Sequence, residues 1–269
     1  MFKKITAIVL SVLILCVCFT ACGSEKPSSK AATLDSVKQA GKLTIATSPD
    51  FPPFEELQAD GSVTGIEIDI LNLICEKLGV TLDIKQMDFD SVLPGVQAAK
   101  YDVGVSGISV TPAREKNVKF TAPYCLAAQA IVVLEGSEVT CKADLTGKKI
   151  SVQSGTTAES FCLENNYNVN AFKANTDAQT AMVSGKVAAW VIDDLTAAEM
   201  VAAYNATNPE TKLVILDEAM TTEPYAFAFN MESGDLVEEI NKILEELVTD
   251  GTVKNIFDKY NAPYTSPKQ

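Results

Sequence analysis

Past residue 33 the apolar positions of the chain fall into two rhythms. Ile66, Ile70, Leu73, Ile74 and Leu78 lie three and four apart, which predicts a helix entered at Gly65 and running to about Leu78. A broader stripe of Leu236, Val237, Ile240, Ile243, Leu244, Leu247 and Val248 predicts an amphipathic helix that Gly251 stops. The second rhythm is the short run that reads as a strand: 42–47, 81–86, 102–105, 128–134, 149–153, 168–173, 188–192 and 213–216. Further helices are expected at 34–40, through Ala98, and at 157–164, 176–184, 195–204 and 253–260. Strands alternating with helices argue for mainly parallel, doubly wound sheets, hence an α/β fold. The alternation runs twice. Two short extended segments, near 124–128 and 221–225, join the runs and suggest two lobes with a double-stranded hinge and a ligand cleft between them.

The first thirty residues have another character. Lys3 and Lys4 precede an almost wholly apolar stretch from Ile5 to Cys18, too short to argue strongly for a spanning helix. Phe19-Thr-Ala-Cys22 then resembles the lipobox of bacterial lipoproteins. By that resemblance residues 1–21 are a signal peptide and Cys22 becomes a lipidated first residue, with an ordinary secretory signal or a retained anchor as the alternatives. Residues 22–33 are small, polar and aperiodic, and read as a flexible tether. Loss of Lys3 and Lys4 turns the net charge of −13 into −15. So acidic a body argues against nucleic acid and against docking on anionic lipid through its own surface.

Of seven cysteines, Cys75, Cys125, Cys141 and Cys162 lie beyond the signal and the lipidation position. Cys75 sits among apolar neighbours and reads as a buried thiol, while Cys141 with Cys162 is the disulfide to test first. The chain has no histidine, so the usual zinc constellations and a Ser-His-Asp triad are not available.

One stretch carries more chemistry than its neighbours. Residues 106–114, Ser-Gly-Ile-Ser-Val-Thr-Pro-Ala-Arg, follow an apolar run and combine small residues, hydroxyls and a single guanidinium. Such a segment suits close approach to a small zwitterion. The same residues also suit a helix beginning at Pro112, capped by Ser or Thr, with Arg114 paired on the surface. Asp193 and Asp194 pose a like choice, since either caps a helix at Leu195.

Taken in order, several landmarks resemble the polar amino-acid family (family 3) of bacterial extracellular solute-binding proteins, which serve ABC importers. They are Phe51-Pro-Pro-Phe-Glu, Gly65-Ile-Glu-Ile-Asp-Ile, Met87-Asp-Phe, the 106–114 stretch, Gly147-Lys-Lys and Ser154-Gly-Thr-Thr. Ala189-Trp-Val-Ile-Asp, Asp250-Gly-Thr-Val and Lys259-Tyr follow, so the likeness runs from about residue 34 to 262. The resemblance implies a two-lobed periplasmic-binding-protein fold of type II. Lobe 1 would comprise 34–123 and 226–269, lobe 2 would comprise 128–220, and 124–127 and 221–225 would form the hinge.

It also implies a site. Arg114 would grip an amino-acid carboxylate with its planar fork, helped by the N–H groups of Thr111 and Thr157. The Gly107 carbonyl, the Ser109 hydroxyl and the Asp193 carboxylate would hold the ammonium. Phe51 and Phe89 would wall the cleft, and Ser48, Gln153 and Ile192 would meet the ligand's side chain. None of these last three is charged, which favours a neutral amino acid over a basic one; Glu55 and Glu56 leave a basic ligand open.

The function implied is a monomeric, lipid-anchored, extracytoplasmic receptor without a cofactor. It would deliver a free amino acid to an ABC permease whose ATPase subunit is a separate chain. Two alternatives share the fold. A dehydratase or cell-wall lyase would need an acid/base group at the reacting atom, for which Glu55 is the candidate. An accessory amino-acid sensor is the other.

Overall fold

The computed structural model describes residues 30–267; the signal segment, the lipidation position Cys22 and most of the tether lie outside them. Most of its strands sort into two five-stranded sheets, beside a small three-stranded sheet of Asp50–Phe51, Glu55–Leu57 and Val63–Thr64 and one strand pair. In the first, Lys42–Thr47 runs parallel to Thr81–Gln86 on one side and to Val103–Gly104 on the other. Ala228–Phe229 returns late in the chain and pairs antiparallel between Val103–Gly104 and Lys119–Phe120. In the second sheet, Lys149–Gln153 runs parallel to Asn168–Phe172 and Ala189–Asp193. Gln129–Leu134 then pairs antiparallel with Ala189–Asp193 and with Leu213–Ile215. Each lobe is thus a parallel βαβ core extended at one side by one strand antiparallel to it and by an edge strand that runs with the core again.

Between the sheets the chain crosses twice. Cys125–Ala127 and Glu223–Tyr225 pair antiparallel, with Tyr225 opposite Cys125 and Glu223 opposite Ala127. A C-terminal segment lies against the first crossing: Leu126 N–H donates to the Thr265 carbonyl (3.0 Å) and the Tyr264 hydroxyl donates to the Tyr124 carbonyl (3.2 Å).

Helix Ile66–Leu78 buries Ile66, Ile70 and Ile74 of the marked stripe completely, and Leu71 beside it, while Leu73 is half-buried. The helix Gly234–Thr249 likewise buries Leu236, Ile240 and Leu244. Two expectations fail. Residues 112–117 form successive turns rather than a helix. The reason is lack of an apolar stripe: Pro112, Ala113, Glu115, Lys116 and Asn117 are all exposed, so packing gives a first helical turn nothing to propagate. The second is the suggested disulfide. Cys75, Cys125, Cys141 and Cys162 are all free thiols. Cys162 is enclosed in the second lobe's core, where burial pushes its thiol up to about 12, while Cys141 lies partly exposed with its thiol toward Asp144. Cys75 is the buried thiol its neighbours suggest, pushed up to about 11.

Candidate ligand-binding site

The chemistry-bearing stretch turns at Gly107, where φ is +52°. A Cβ there would lie 2.4 Å from the Phe51 ring, so only glycine lets the loop pass this close to the aromatic wall. The loop rests on buried acid groups. Gly107 N–H donates to Glu67 Oε2 (2.9 Å), Ser106 Oγ donates to Glu55 Oε1 (2.9 Å), and the Tyr124 hydroxyl donates to Glu67 Oε1 (2.6 Å). Both glutamates are fully enclosed. Burial, and then the neighbouring Glu67 charge, push the Glu55 carboxyl well above its ordinary value of 4.5. Glu55 therefore supports the loop from below and does not line the cavity, which removes the one acid/base candidate marked in the sequence. Glu56 points out to solvent.

Across from this loop stands the helix Thr157–Glu164. Thr156 caps it, accepting from Glu159 N–H (3.1 Å) while donating to the Gln153 carbonyl (2.7 Å). Thr157 is thereby the first helical residue, with an N–H that has no intrahelical partner by geometry. Gly155, at φ +80°, leaves only enough space for Asp90 of the first lobe to approach.

Arg114 reaches between the two lobes. Its guanidinium donates to the Ser109 carbonyl (2.9 Å) and to the Gly155 carbonyl (3.1 Å), and its Cζ lies 5.7 Å from the Phe89 ring centroid. Burial presses its pKa below the ordinary guanidinium value, opposed by the charges of Glu223 and Asp193.

The choice between Asp193 and Asp194 is settled by partners. Asp194 accepts from Ala128 N–H (3.2 Å) and Leu195 N–H (2.8 Å) at the start of the helix Asp194–Thr207. The Asp193 side chain makes no capping bond. Instead its Oδ1 accepts from Gln129 Nε2 (2.9 Å) and from the Tyr225 hydroxyl. Burial, and next the Glu223 charge, raise the Asp193 carboxyl to about 7.

These groups converge on one cavity. Phe51, Phe89, Gly107, Ser109 and Arg114 line it from the first lobe, and Gln153, Thr157 and Asp193 from the second. Its free volume is about 10 Å³, room for about one water, so an amino acid enters only if the lobes part. Thr111 lies instead on an adjoining groove of about 630 Å³ that shares Arg114 and Thr157 with the cavity.

At the other end, Gln153 and Ser48 are tied to Asp50. The Asp50 carboxylate accepts from Ser48 Oγ (2.8 Å), from Gln153 Nε2 (3.3 and 3.2 Å) and from Asn175 N–H (2.7 Å). Ser48 is buried there away from the cavity lining. Ile192 is packed in the core, because a strand points successive side chains to opposite faces and Asp193 takes the cavity side.

Sequence reasoning passed over Gln129, Glu223 and Tyr225. The crossing segments read only as connectors, yet Glu223 and Tyr225 stand two apart in an extended run and so share a face.

A two-lobed α/β body with a charged, hydroxyl-rich cavity between its sheets has the design of a solute receptor that closes around its cargo. The chain belongs to the bacterial extracellular solute-binding proteins, family 3, whose model matches residues 43–263. Among similar proteins is the L-cystine-binding protein TcyJ of Escherichia coli strain K12, 26% identical over 92% of both chains. Among solved structures, a mutant of the arginine-binding protein ArgBP of T. maritima is 36% identical with a TM-score of 0.78, covering 85% of this chain and 98% of that one. An ancestral arginine-binding protein bound to glutamine is 37% identical with a TM-score of 0.76, covering 83% and 99%.

Proposed function

We propose that this solute-binding protein receives a free L-amino acid in the cavity between its lobes and hands it to an ABC permease driven by a separate ATPase subunit. Arg114, with the N–H groups of Thr111 and Thr157, takes the carboxylate. Asp193, the Gly107 carbonyl and the Ser109 hydroxyl take the ammonium, and Phe51, Phe89 and Gln153 surround the side chain. The observation that carries the reading is the meeting of Arg114 and Asp193, opposite charges from different lobes, in one enclosed space. Opposite charges so placed match a zwitterion and reward closure, because each lobe holds one end of it.

The working division is lobe 1 at 34–123 and 226–269, lobe 2 at 128–220, and a hinge at 124–127 and 221–225. The receptor acts as a monomer outside the cytoplasm, anchored through Cys22. It turns nothing over, since Glu55 lies sealed beneath the loop and the remaining carboxyls serve as anchors. A neutral side chain is favoured over a basic one. Asp50, the acidic group nearest Gln153, already accepts from three neighbouring residues. The ancestral relative bound to glutamine supports a neutral amide as a fitting ligand for a cavity of this kind.

A thermal-shift panel of the twenty amino acids and L-cystine, run on the body from residue 31, tests this. A ligand that binds only the folded form raises the melting temperature by mass action. One or a few members should shift the wild type, and Arg114→Ala should abolish the shift. A folded Arg114→Ala that binds at full affinity would exclude the proposed carboxylate anchor. Arginine outranking glutamine would reverse the preference for a neutral side chain.

A further inference from the structure

Glu223 lies on the second crossing strand, beside the cavity, and touches two residues that carry the proposed site. Ser109 Oγ and Thr157 Oγ1 (2.6 Å) both donate to Glu223 Oε2, and Thr221 Oγ1 donates to Glu223 Oε1 (2.9 Å). A hydroxyl has one proton and two lone pairs. Once Ser109 and Thr157 have each given that proton to the carboxylate, neither has one left. The 3.4 Å approach of their oxygens is then a contact between two acceptors, and Thr157 further accepts from Gln129 Nε2 (3.3 Å). Whatever next meets the Ser109 oxygen must bring its own proton.

We infer that Glu223 is a positioning residue that fixes the Ser109 hydroxyl as an acceptor and so makes the cavity select an ammonium over an α-hydroxyl group. The inference rests on the amino-acid reading above. An ammonium has three protons, enough for Asp193, the Gly107 carbonyl and Ser109 together. An α-hydroxyl group has one, which Asp193 would take, leaving its lone pairs against those of Ser109. Without Glu223 the Ser109 hydroxyl is free to rotate and donate, and that mismatch disappears. Specificity here comes from a repulsive element as well as an attractive one.

The test measures binding of L-glutamine, L-arginine, L-histidine and L-cystine, and of the 2-hydroxy acid that matches each of them. Glu223→Leu removes the acceptor. It should weaken amino-acid binding by about 10- to 100-fold, the range for one charge-assisted hydrogen bond, and shrink the amino-to-hydroxy preference by a similar factor. Glu223→Gln keeps a carbonyl that accepts from both hydroxyls and should stay within about 3-fold of the wild type. In a Ser109→Ala background, Glu223→Leu should leave the preference unchanged, since its target is gone.

An equal loss for both ligand classes in Glu223→Leu means structural damage alone and overturns the inference. So does a Glu223→Gln that falls as far as Glu223→Leu, which would assign the effect to charge. If Glu223→Leu fails to fold, the Glu223→Gln and Ser109→Ala results still decide, because Ser109→Ala must itself lower the preference. A wild type that binds none of the four amino acids while a 2-hydroxy acid binds removes both the amino-acid reading and this inference. Selective amino-acid binding that ignores Glu223 and Ser109 overturns the inference alone.

Discussion

Glu55 with Glu67, and Asp193 with Glu223, are two pairs of buried acids in one body, and they are partnered differently. The first pair lies beneath the Ser106–Gly107 turn, both members fully enclosed, and accepts from Ser106 and Gly107 of the first lobe and from Tyr124 where the first crossing begins. The second pair stands at the cavity. Its donors come from both lobes and from the crossing strands: Ser109, Thr157, Gln129, Tyr225 and Thr221. Arg114 feels the charges of the second pair, and among the described residues the hydrogen-bond partners of the first are uncharged: Ser106, Gly107 and Tyr124. A sealed acid pair can settle by keeping a proton. An acid pair beside a cavity between lobes can settle by receiving a cation, and that difference separates a supporting pair from the pair proposed here for recognition.

The largest effect is expected at Asp193. Asp193→Asn should lower amino-acid affinity by at least about 100-fold, because the ammonium is then buried against a neutral partner. The same change should raise the melting temperature of the ligand-free protein at pH 8, where the native carboxylate is held charged against its surroundings. Calorimetric titration and a thermal melt on one preparation check both halves. A variant that loses binding and also melts lower would place Asp193 with the supporting pair.

Beneath the loop the pattern should invert. Glu67→Gln leaves an amide where two donors, Gly107 N–H and the Tyr124 hydroxyl, now converge, and should cost about 1–3 kcal/mol of stability. Glu55→Gln replaces a carboxyl whose neutral form burial already favours, and should cost less than about 1 kcal/mol. Neither should reorder the preferred ligands, which chemical denaturation beside the thermal-shift panel would reveal.

The two pairs also leave separable marks on pH dependence. A carboxyl raised above its unfolded value binds its proton more tightly in the folded state, so its contribution is present at low pH and is lost as pH rises through the folded value. For Asp193 the window runs from about 3.8 to about 7. The ligand-free melting temperature should therefore fall across that window, Asp193→Asn should flatten the fall, and saturating amino acid should flatten it too. Binding at pH 6 should release close to one proton, seen as a buffer-dependent enthalpy. Glu55 acts in the same direction, but ligand should not erase its share.

How much of this was legible in the chain follows from where each signal is stored. The α/β order was legible because periods of two and of three to four are written locally. The glycine at 107 and the arginine at 114 were legible because a close approach and a planar fork each need one residue type. The division of labour between Asp193 and Asp194 was not, since both can cap a helix and only the partners Gln129 and Tyr225 draw one of them away. Glu223 stayed hidden for a related reason. Its partners lie 114 and 66 positions distant, and no local pattern encodes a donor that the crossing strands supply from elsewhere. The turns at 112–117 misled because residues with helix-starting chemistry came without a buried face.

The smallest expected effect sits at the far end of the cavity, outside both pairs. Asp50, half-buried on the first lobe, accepts from Asn175 N–H at the first position of the helix Asn175–Val183 on the second. A carboxylate at a helix N-terminus is worth about 0.3–1 kcal/mol, and this one spans the lobes, so it favours closure without touching cargo. Asp50→Asn keeps a carbonyl to accept the same N–H and removes only the charge. Affinity should fall by up to about 5-fold for every amino acid that binds, the equivalent of about 1 kcal/mol. Raised salt should shrink the difference between wild type and variant, because this contact is partly exposed and the Asp193 site is not. A change in the rank order of ligands, rather than a uniform loss, would mean that Asp50 reads the ligand's side chain and that a third acid belongs to recognition.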